Sequence, residues 1–186
     1  MATEERLAKV ERELAATQKE LADLRAELSA GIATRQIRIV DAAGKTSVWL
    51  NAAVGWPALI LYDEAGEIRA GLTVDEDGPV LGLYDAAGET RAGLTVDKDG
   101  PRLVLLDEEG KMRAGLFADA DADGPVLSLF DAAGKHRAGL AVRSDGGPVL
   151  SLHDAAGKMR VGLFADANGP VLSLHDTEGK VIWRTP

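Results

Sequence analysis

The sequence predicts a mainly β repeat protein that follows an α-helical coiled coil. Three observations predict it. A heptad of apolar residues runs from Leu7 to Leu28, an Asp-x-x-Gly motif recurs about every 22 residues from Asp41 onward, and the segments between those motifs alternate in polarity. The first observation is the signature of a helix seam and the third of short strands, and the second says that the strands come in copies.

In the first element the apolar residues step 3, 4, 3, 4, with Leu7, Leu14, Leu21 and Leu28 at a and Val10, Thr17 and Leu24 at d. A seam repeating every 3.5 residues is buried against another helix. The segment holds no Pro or Gly before Gly31, and it is rich in the helix formers Ala, Glu, Leu and Lys. A helix of about 25 residues is ~37 Å long. In a parallel pairing of like chains Arg6 faces Glu11 and Glu20 faces Arg25, surface pairs that select orientation more than they stabilise. A single amphipathic helix lying on the next domain is the plainer alternative, but such helices carry a wider apolar stripe than a strict a/d seam. Gly31 ends the segment, so residues 1–34 are read as a parallel coiled coil and 35–186 as a separate body.

The body contains seven turns: Asp41–Gly44, Asp63–Gly66, Asp85–Gly88, Asp107–Gly110, Asp131–Gly134, Asp154–Gly157 and Asp176–Gly179. Each unit holds two alternating segments. In the unit starting at Gly78, Leu81 and Leu83 share one side while Val80, Gly82 and Tyr84 share the other. In the next segment Ala92, Leu94 and Val96 share a side opposite Arg91, Gly93 and Thr95. The segments are separated alternately by Asp-x-x-Gly and by an acidic Gly-Pro corner. Asp bonds the backbone two residues on, Gly accepts positive φ, and Pro fixes its own φ. The expectation is about fourteen strands and no helix.

The Leu and Ala/Leu/Val positions recur in every unit, among them Leu81, Leu83, Leu94, Val96, Leu127, Leu129, Leu140, Leu150, Leu152 and Leu163. These form the expected repeat core. On one chain they make a continuous apolar stripe, which is an interaction surface or an aggregation hazard. Gly71, Gly93, Gly115, Gly139 and Gly162 sit mid-strand, which suggests close backbone approach or a bend. The simplest closed arrangement is three chains around one axis, each giving its apolar rows to a shared interior. A monomeric β-solenoid of one unit per coil has the same period but leaves the heptads unused, and a two-stranded coiled coil gives a dimer.

Through Arg-Ala-Gly-Leu at 69–72, 91–94, 113–116 and 137–140, Arg160-Val-Gly-Leu163 and the Asp-x-x-Gly turns, nearly the whole chain resembles the trimeric fibrous modules of bacteriophage tail fibres, tail spikes and related bacterial surface fibres. The resemblance implies a homotrimeric triple-stranded β-helix or triangular β-prism behind a short coiled coil, built from the helix positions Leu7, Val10, Leu14, Thr17, Leu21, Leu24 and Leu28. It also implies partners among fibre or virion components, and a place in a virion or cell-surface assembly after synthesis in the cytoplasm. No receptor-binding or glycan-cleaving head is apparent, so the shaft alone carries over.

The end units depart from the repeat. Ser47-Val-Trp-Leu50 replaces Arg-Ala-Gly-Leu in the first, and the last stops at Val181-Ile-Trp-Arg184. Terminal repeats are commonly atypical because they cap an open core. Trp49, Trp56 and Trp183 lie in these regions, and plugging the ends is their plainer role. Trp183 is the candidate tip for stacking a surface glycan.

Candidate chemistry is sparse. Asp119, Asp121 and Asp123 before Gly124 imitate a calcium loop, as do Asp75/Asp77/Gly78 and Asp97/Asp99/Gly100, but the twelfth position from Asp119 is Phe130 where a bidentate Glu is needed. Solvated turn carboxylates are the simpler reading, and no metal is assigned. His153 and His175 occupy a slot that elsewhere carries Tyr62, Tyr84, Leu106 or Phe130, which asks for bulk and not for a metal ligand; His136 reads as solitary. Arg69, Arg91, Arg113, Arg137 and Arg160 recur opposite the apolar row, beside Asp63, Asp85, Asp107, Asp131 and Asp154. Their uniform repetition favours a structural charge ladder over a single special site. The net charge of −9 argues against nucleic acid. No apolar run is long enough for a membrane helix, and Met1-Ala-Thr-Glu-Glu-Arg-Leu7 shows no secretory signal. Without a nucleophile elbow, Walker loop, zinc motif or dinucleotide fingerprint, neither catalysis nor a cofactor is expected. A structural fibre shaft is the first reading. A glycan-binding or glycan-degrading fibre using grooves between chains is the alternative.

Overall fold

A computed structural model describes residues 2–29, 34–52, 55–118, 124–167 and 169–185. Gly31 and the acidic run Asp119, Asp121 and Asp123 lie outside these residues, as does the side chain of Leu28. The chain divides into two compact units, Met1–Arg35 and Gln36–Pro186.

The first unit is helix α1, Ala2–Ser29, whose Glu4 and Glu5 complement the positive end of the helix dipole. Its 28 residues span about 42 Å at the usual rise. Leu7, Val10, Leu14, Leu21 and Leu24 are 48–60% exposed, so the heptad row stands uncovered. Thr17, the one polar member, returns its hydroxyl to the Glu13 carbonyl at 2.9 Å. That internal bond lets it occupy the row without an orphaned donor.

The second unit is mainly β: β1 Gln36–Val40, β2 Thr46–Asn51, β3 Ala58–Tyr62, β4 Ile68–Asp75, β5 Gly78–Tyr84, β6 Thr90–Asp97, β7 Gly100–Leu106, β8 Met112–Phe117, β9 Val126–Phe130, β10 His136–Val142, β11 Pro148–His153, β12 Met159–Asp166, β13 Gly169–His175 and β14 Val181–Arg184. They form one sheet in sequence order, every neighbour antiparallel. A solenoid would bring each strand beside its copy one repeat later. Here each strand instead pairs with the next in the chain, and the Asp-x-x-Gly and Gly-Pro corners join most of them as tight hairpins.

Two turn chemistries make the hairpins. In the Asp-x-x-Gly turn, the Asp85 carboxylate accepts the backbone N–H of Ala87 at 2.8 Å and of Glu89 at 3.0 Å. Gly88 closes the turn with φ of 80°, and its N–H reaches the Asp85 carbonyl at 3.2 Å. A left-handed glycine after such a turn produces a bulge, and the register slips by one residue between Leu83 and Tyr84. The same slip recurs at Leu61/Tyr62, Leu105/Leu106, Leu152/His153 and Leu174/His175. The opposite corner is tighter: Asp75 faces Gly78 directly, and its carboxylate accepts the N–H groups of Asp77 and Gly78 at 3.0 and 3.1 Å.

Register then sorts the side chains. On one face the cross-strand partners run Leu50, Leu59, Leu72, Leu81, Leu94, Leu103, Leu116, Leu127, Leu140, Leu150, Leu163 and Leu172, one leucine on every strand from β2 to β13. A parallel row alternates Leu83, Ala92, Leu105, Ala114, Leu129, Ala138 and Leu152. On the other face a row of small residues runs Gly71, Gly82, Gly93, Val104, Gly115, Ser128, Gly139, Ser151, Gly162 and Ser173.

Candidate functional site

Burial divides between these two faces in an unusual way. Among the described residues the buried side chains, Asn51, Ile60, Ser128, Val171 and Ser173, lie on the small-residue face. The leucine face is open: nine of its twelve leucines are exposed, from 38% at Leu81 to 51% at Leu140. Of the expected repeat core, Leu83, Val96, Leu129, Leu152 and Leu163 are likewise exposed and Leu150 is half-buried.

What covers the other face is side chain laid over glycine. A methyl group built on Gly82 would stand 2.6 Å from the Tyr84 hydroxyl, and one on Gly115 would stand 2.4 Å from two carbons of the Phe117 ring. Met112 also approaches Gly115, Met159 approaches Gly162, and His136 lies against Gly139. The recurrent mid-strand glycines thus admit side chains, where close backbone approach or a bend was expected. Rings over strand glycines recover apolar contact that glycine itself cannot make.

Along the rim of this face the arginines hold the turns, and two of them clasp two turns at once through the next repeat's Asp carbonyl. Arg91 donates from Nε to the Asp85 carboxylate at 2.7 Å and from Nη1 to the Asp107 carbonyl, one repeat further on. Arg69 does the same between Asp63 and the Asp85 carbonyl. Arg137 pairs with Asp131, Arg160 with Asp154, and Arg113 more loosely with Asp107 at 3.5 Å. The Asp85 carboxyl is held below the ordinary carboxylate range, first by the Glu89 N–H and then by Arg91; Asp63, Asp107, Asp131 and Asp154 behave alike. The two end turns lack the clasp, since Ser47 and Ile182 stand where the arginine would be.

His136 is not solitary. Its ring stands edge-on to His153 with centroids 4.9 Å apart and to Phe130 at 5.6 Å. Desolvation first, and then the His153 charge, lowers its affinity for a proton. His175 is tied elsewhere, with Nδ1 3.2 Å from the Gly179 carbonyl and Nε2 3.1 Å from Ser173 Oγ. Asp75 and Asp97 spend carboxylate oxygens on their own turns, and Asp97 also receives Arg102 at 2.9 Å. Among the described residues no three His, Asp or Glu converge as a metal site would require.

The three tryptophans separate. Trp183 continues the alternating apolar row opposite Leu174 and is 47% exposed, on the leucine face. Trp56 precedes β3 and is half exposed. Trp49 lies on the other face, opposite Arg38 and Ile60, in the position that later repeats give to glycine. No family model matches the chain, and no curated protein does. Among solved structures, a point mutant of S. aureus TarM in complex with Fondaparinux, alpha-GlcNAc-glycerol and UDP aligns with 64% of this chain at 11% identity and a TM-score of 0.35. The chain spans 22% of that protein's length, a likeness too slight to bear on fold or function.

Proposed function

We propose that the chain is one subunit of a non-catalytic homotrimeric fibre shaft or spacer, attached to a larger assembly such as a phage tail or a cell-surface fibre. The unbroken leucine ladder carries this reading. An apolar stripe crossing twelve strands is far beyond the scattered exposed side chains of an ordinary monomer. Burying the remaining half of each such leucine contributes on the order of 1 kcal/mol, and the whole row over ~10 kcal/mol before association costs. The uncovered heptad row of α1 asks for the same partner, a further copy of this chain.

Three observations support this form. Every strand pairs with its neighbours in the same chain, so three separate meanders meeting as the walls of a triangular prism suit the structure better than strands interleaved from three chains. The arginine clasps tie consecutive turns on the small-residue face and leave the leucine face free of charge. Trp183, on the leucine side of the last strand, then serves as an end plug and not as an outward stacking platform.

Light scattering on a size-exclusion column tests the proposal, with a mass three times the 19.5 kDa chain as the expected result. Leu116→Asp with Leu127→Asp, placed opposite each other in the ladder, should return the mass toward one chain while the strand signal in circular dichroism persists. A monomer for the unaltered protein would refute the shaft.

A further inference from the structure

The first repeat carries a cleft built on side chains that the later repeats replace. It has a volume of about 390 Å³ and is lined by Gln36, Arg38, Lys45, Thr46, Trp49, Tyr62 and Gly66, all from β1, β2, β3 and the two turns that join β1 to β2 and β3 to β4. That volume lies in the range of small-ligand sites. We propose that it binds an acidic pyranose, a uronic-acid unit of a polysaccharide, with the sugar ring against Trp49 and Tyr62 and its carboxylate on Arg38.

The argument rests on what this repeat substitutes. Where later units place a glycine under a neighbour's ring, here an indole stands, and beside it Tyr62 supplies a second aromatic wall. Two aromatic surfaces in a polar cleft offer the flat apolar contact that the axial C–H face of a pyranose needs. Where later units place an arginine on the turn carboxylate, Ser47 stands, and Asp41 keeps the contacts common to these turns, its Oδ1 accepting the Ala43 and Lys45 N–H groups at 2.9 Å. The guanidinium of this repeat comes instead from Arg38, which is exposed and has no carboxylate partner among the described residues, unlike Arg69, Arg91, Arg113, Arg137 and Arg160. An unpaired guanidinium offers a planar carboxylate a bidentate contact. Lys45 stretches across the rim and gives its ammonium to the Glu64 carbonyl, an acceptor it can exchange for a ligand oxygen. Beneath, Trp49 Nε1 is shielded from solvent and has no acceptor among the described residues, a donor left unsatisfied until the rim side chains move.

Trp49 and Arg38 lie on the small-residue face, so the cleft stays open when the leucine faces meet. The inference therefore does not depend on the trimer. Its ligand specificity comes from one special cluster per chain, which is what a site looks like when the rest of the molecule is uniform repeats.

Isothermal titration of the full chain with tetragalacturonate, with maltotetraose and with inorganic phosphate tests it. The expected result is saturable binding of tetragalacturonate, at least tenfold weaker or undetectable binding of maltotetraose and of phosphate, and at least a tenfold loss of tetragalacturonate affinity in Arg38→Glu. Arg38 is exposed, so this variant should fold as the parent does, which thermal melting confirms. Trp49→Phe keeps a ring while removing Nε1 and should weaken binding severalfold. No binding of tetragalacturonate overturns the proposal. So does equal binding of phosphate, which would make the site a simple anion hole, and so does undiminished binding in Arg38→Glu, which would place the sugar elsewhere.

Discussion

Two glycines at the same position of the repeat should respond oppositely to alanine. Gly115 and Gly93 both sit mid-strand on the small-residue face. A methyl group on Gly93 would meet Val104 Cγ2 at 3.4 Å and the Leu81 carbonyl oxygen at 4.0 Å, both ordinary contacts. On Gly115 it would stand 2.4 Å from the Phe117 ring and 3.1 Å from Met112 Sδ, so the ring must leave. Neither glycine has positive φ, so the backbone tolerates alanine at both. Gly93→Ala should therefore stabilise by about 0.5–1 kcal/mol, the strand cost of glycine removed. Gly115→Ala should destabilise by about 1–3 kcal/mol through overpacking. At ~2–4 °C per kcal/mol for a chain of this size, the two melting temperatures should part by several degrees. The assay is calorimetric melting at one fixed protein concentration, since assembly makes the midpoint depend on it. A double-mutant cycle adds Phe117→Ala, which removes the obstructing ring. Gly115→Ala should then cost almost nothing, a coupling of at least ~1 kcal/mol. Equal effects at Gly93 and Gly115, or no coupling to Phe117, would refute the ring-over-glycine account of this face.

Two further predictions concern pH. The clasped carboxyls of Asp63, Asp85, Asp107, Asp131 and Asp154 are held below the ordinary 3.8, so the folded state binds their protons less readily than the unfolded one. Their stabilisation is complete above that ordinary value and is lost as pH falls through the lowered ones. Urea melts from about pH 5 down to about pH 2 should show the midpoint dropping, and Asp85→Asn with Arg91→Gln should drop less steeply; an unchanged slope would deny the clasps their role. The His136 proton affinity is lowered from the ordinary 6.5, so its contribution is whole above that value and is lost as pH falls below it. His136→Gln should flatten the stability curve between about pH 7 and pH 5, and a curve that keeps its slope would show that the ring beside His153 is not the titrating group.

The change from a 3.5-residue to a 2-residue period marks the helix and the strands in the sequence, because both elements declare themselves through side-chain spacing alone. The leucine rows were legible for the same reason: Leu81 and Leu94 are fixed to one side by strand parity whatever the sheet does next. The side chains laid over glycine were not legible. Gly115 and Phe117 are two apart on one strand, and nothing in their spacing says that the ring folds back instead of standing up. His136 and His153 lie in different repeats at different slots, and their contact depends on a register slip at each Asp-x-x-Gly turn. The cleft under Arg38 was hidden for a related reason. Trp49 read as an end plug, since its face could be assigned only relative to a register that the unusual first unit obscures.

The ends of the sheet raise a problem that the repeats themselves create. A meander of fourteen strands places β1 and β14 antiparallel to each other, so the last strand of one copy has the direction needed to add to the first strand of the next. Such a head-to-tail contact does not close, and it would string subunits into filaments. Both edges are also apolar: Ile39 and Val40 on β1, and Val181, Ile182 and Trp183 on β14, are 47–65% exposed. In the register that continues the rows, however, Arg184 of β14 falls opposite Arg38 of β1, because each holds the small-residue position of its strand. Like charges directly opposed destabilise a strand pair, and charged edge residues are a common defence against this kind of growth. Arg184→Ser should therefore promote end-on association, most visibly at low ionic strength, where the repulsion in the parent is least screened. Sedimentation velocity at low and high salt measures it. Salt should increase association of the parent and leave Arg184→Ser nearly unaffected, and a parent that ignores salt would show that the two arginines do not guard the edges.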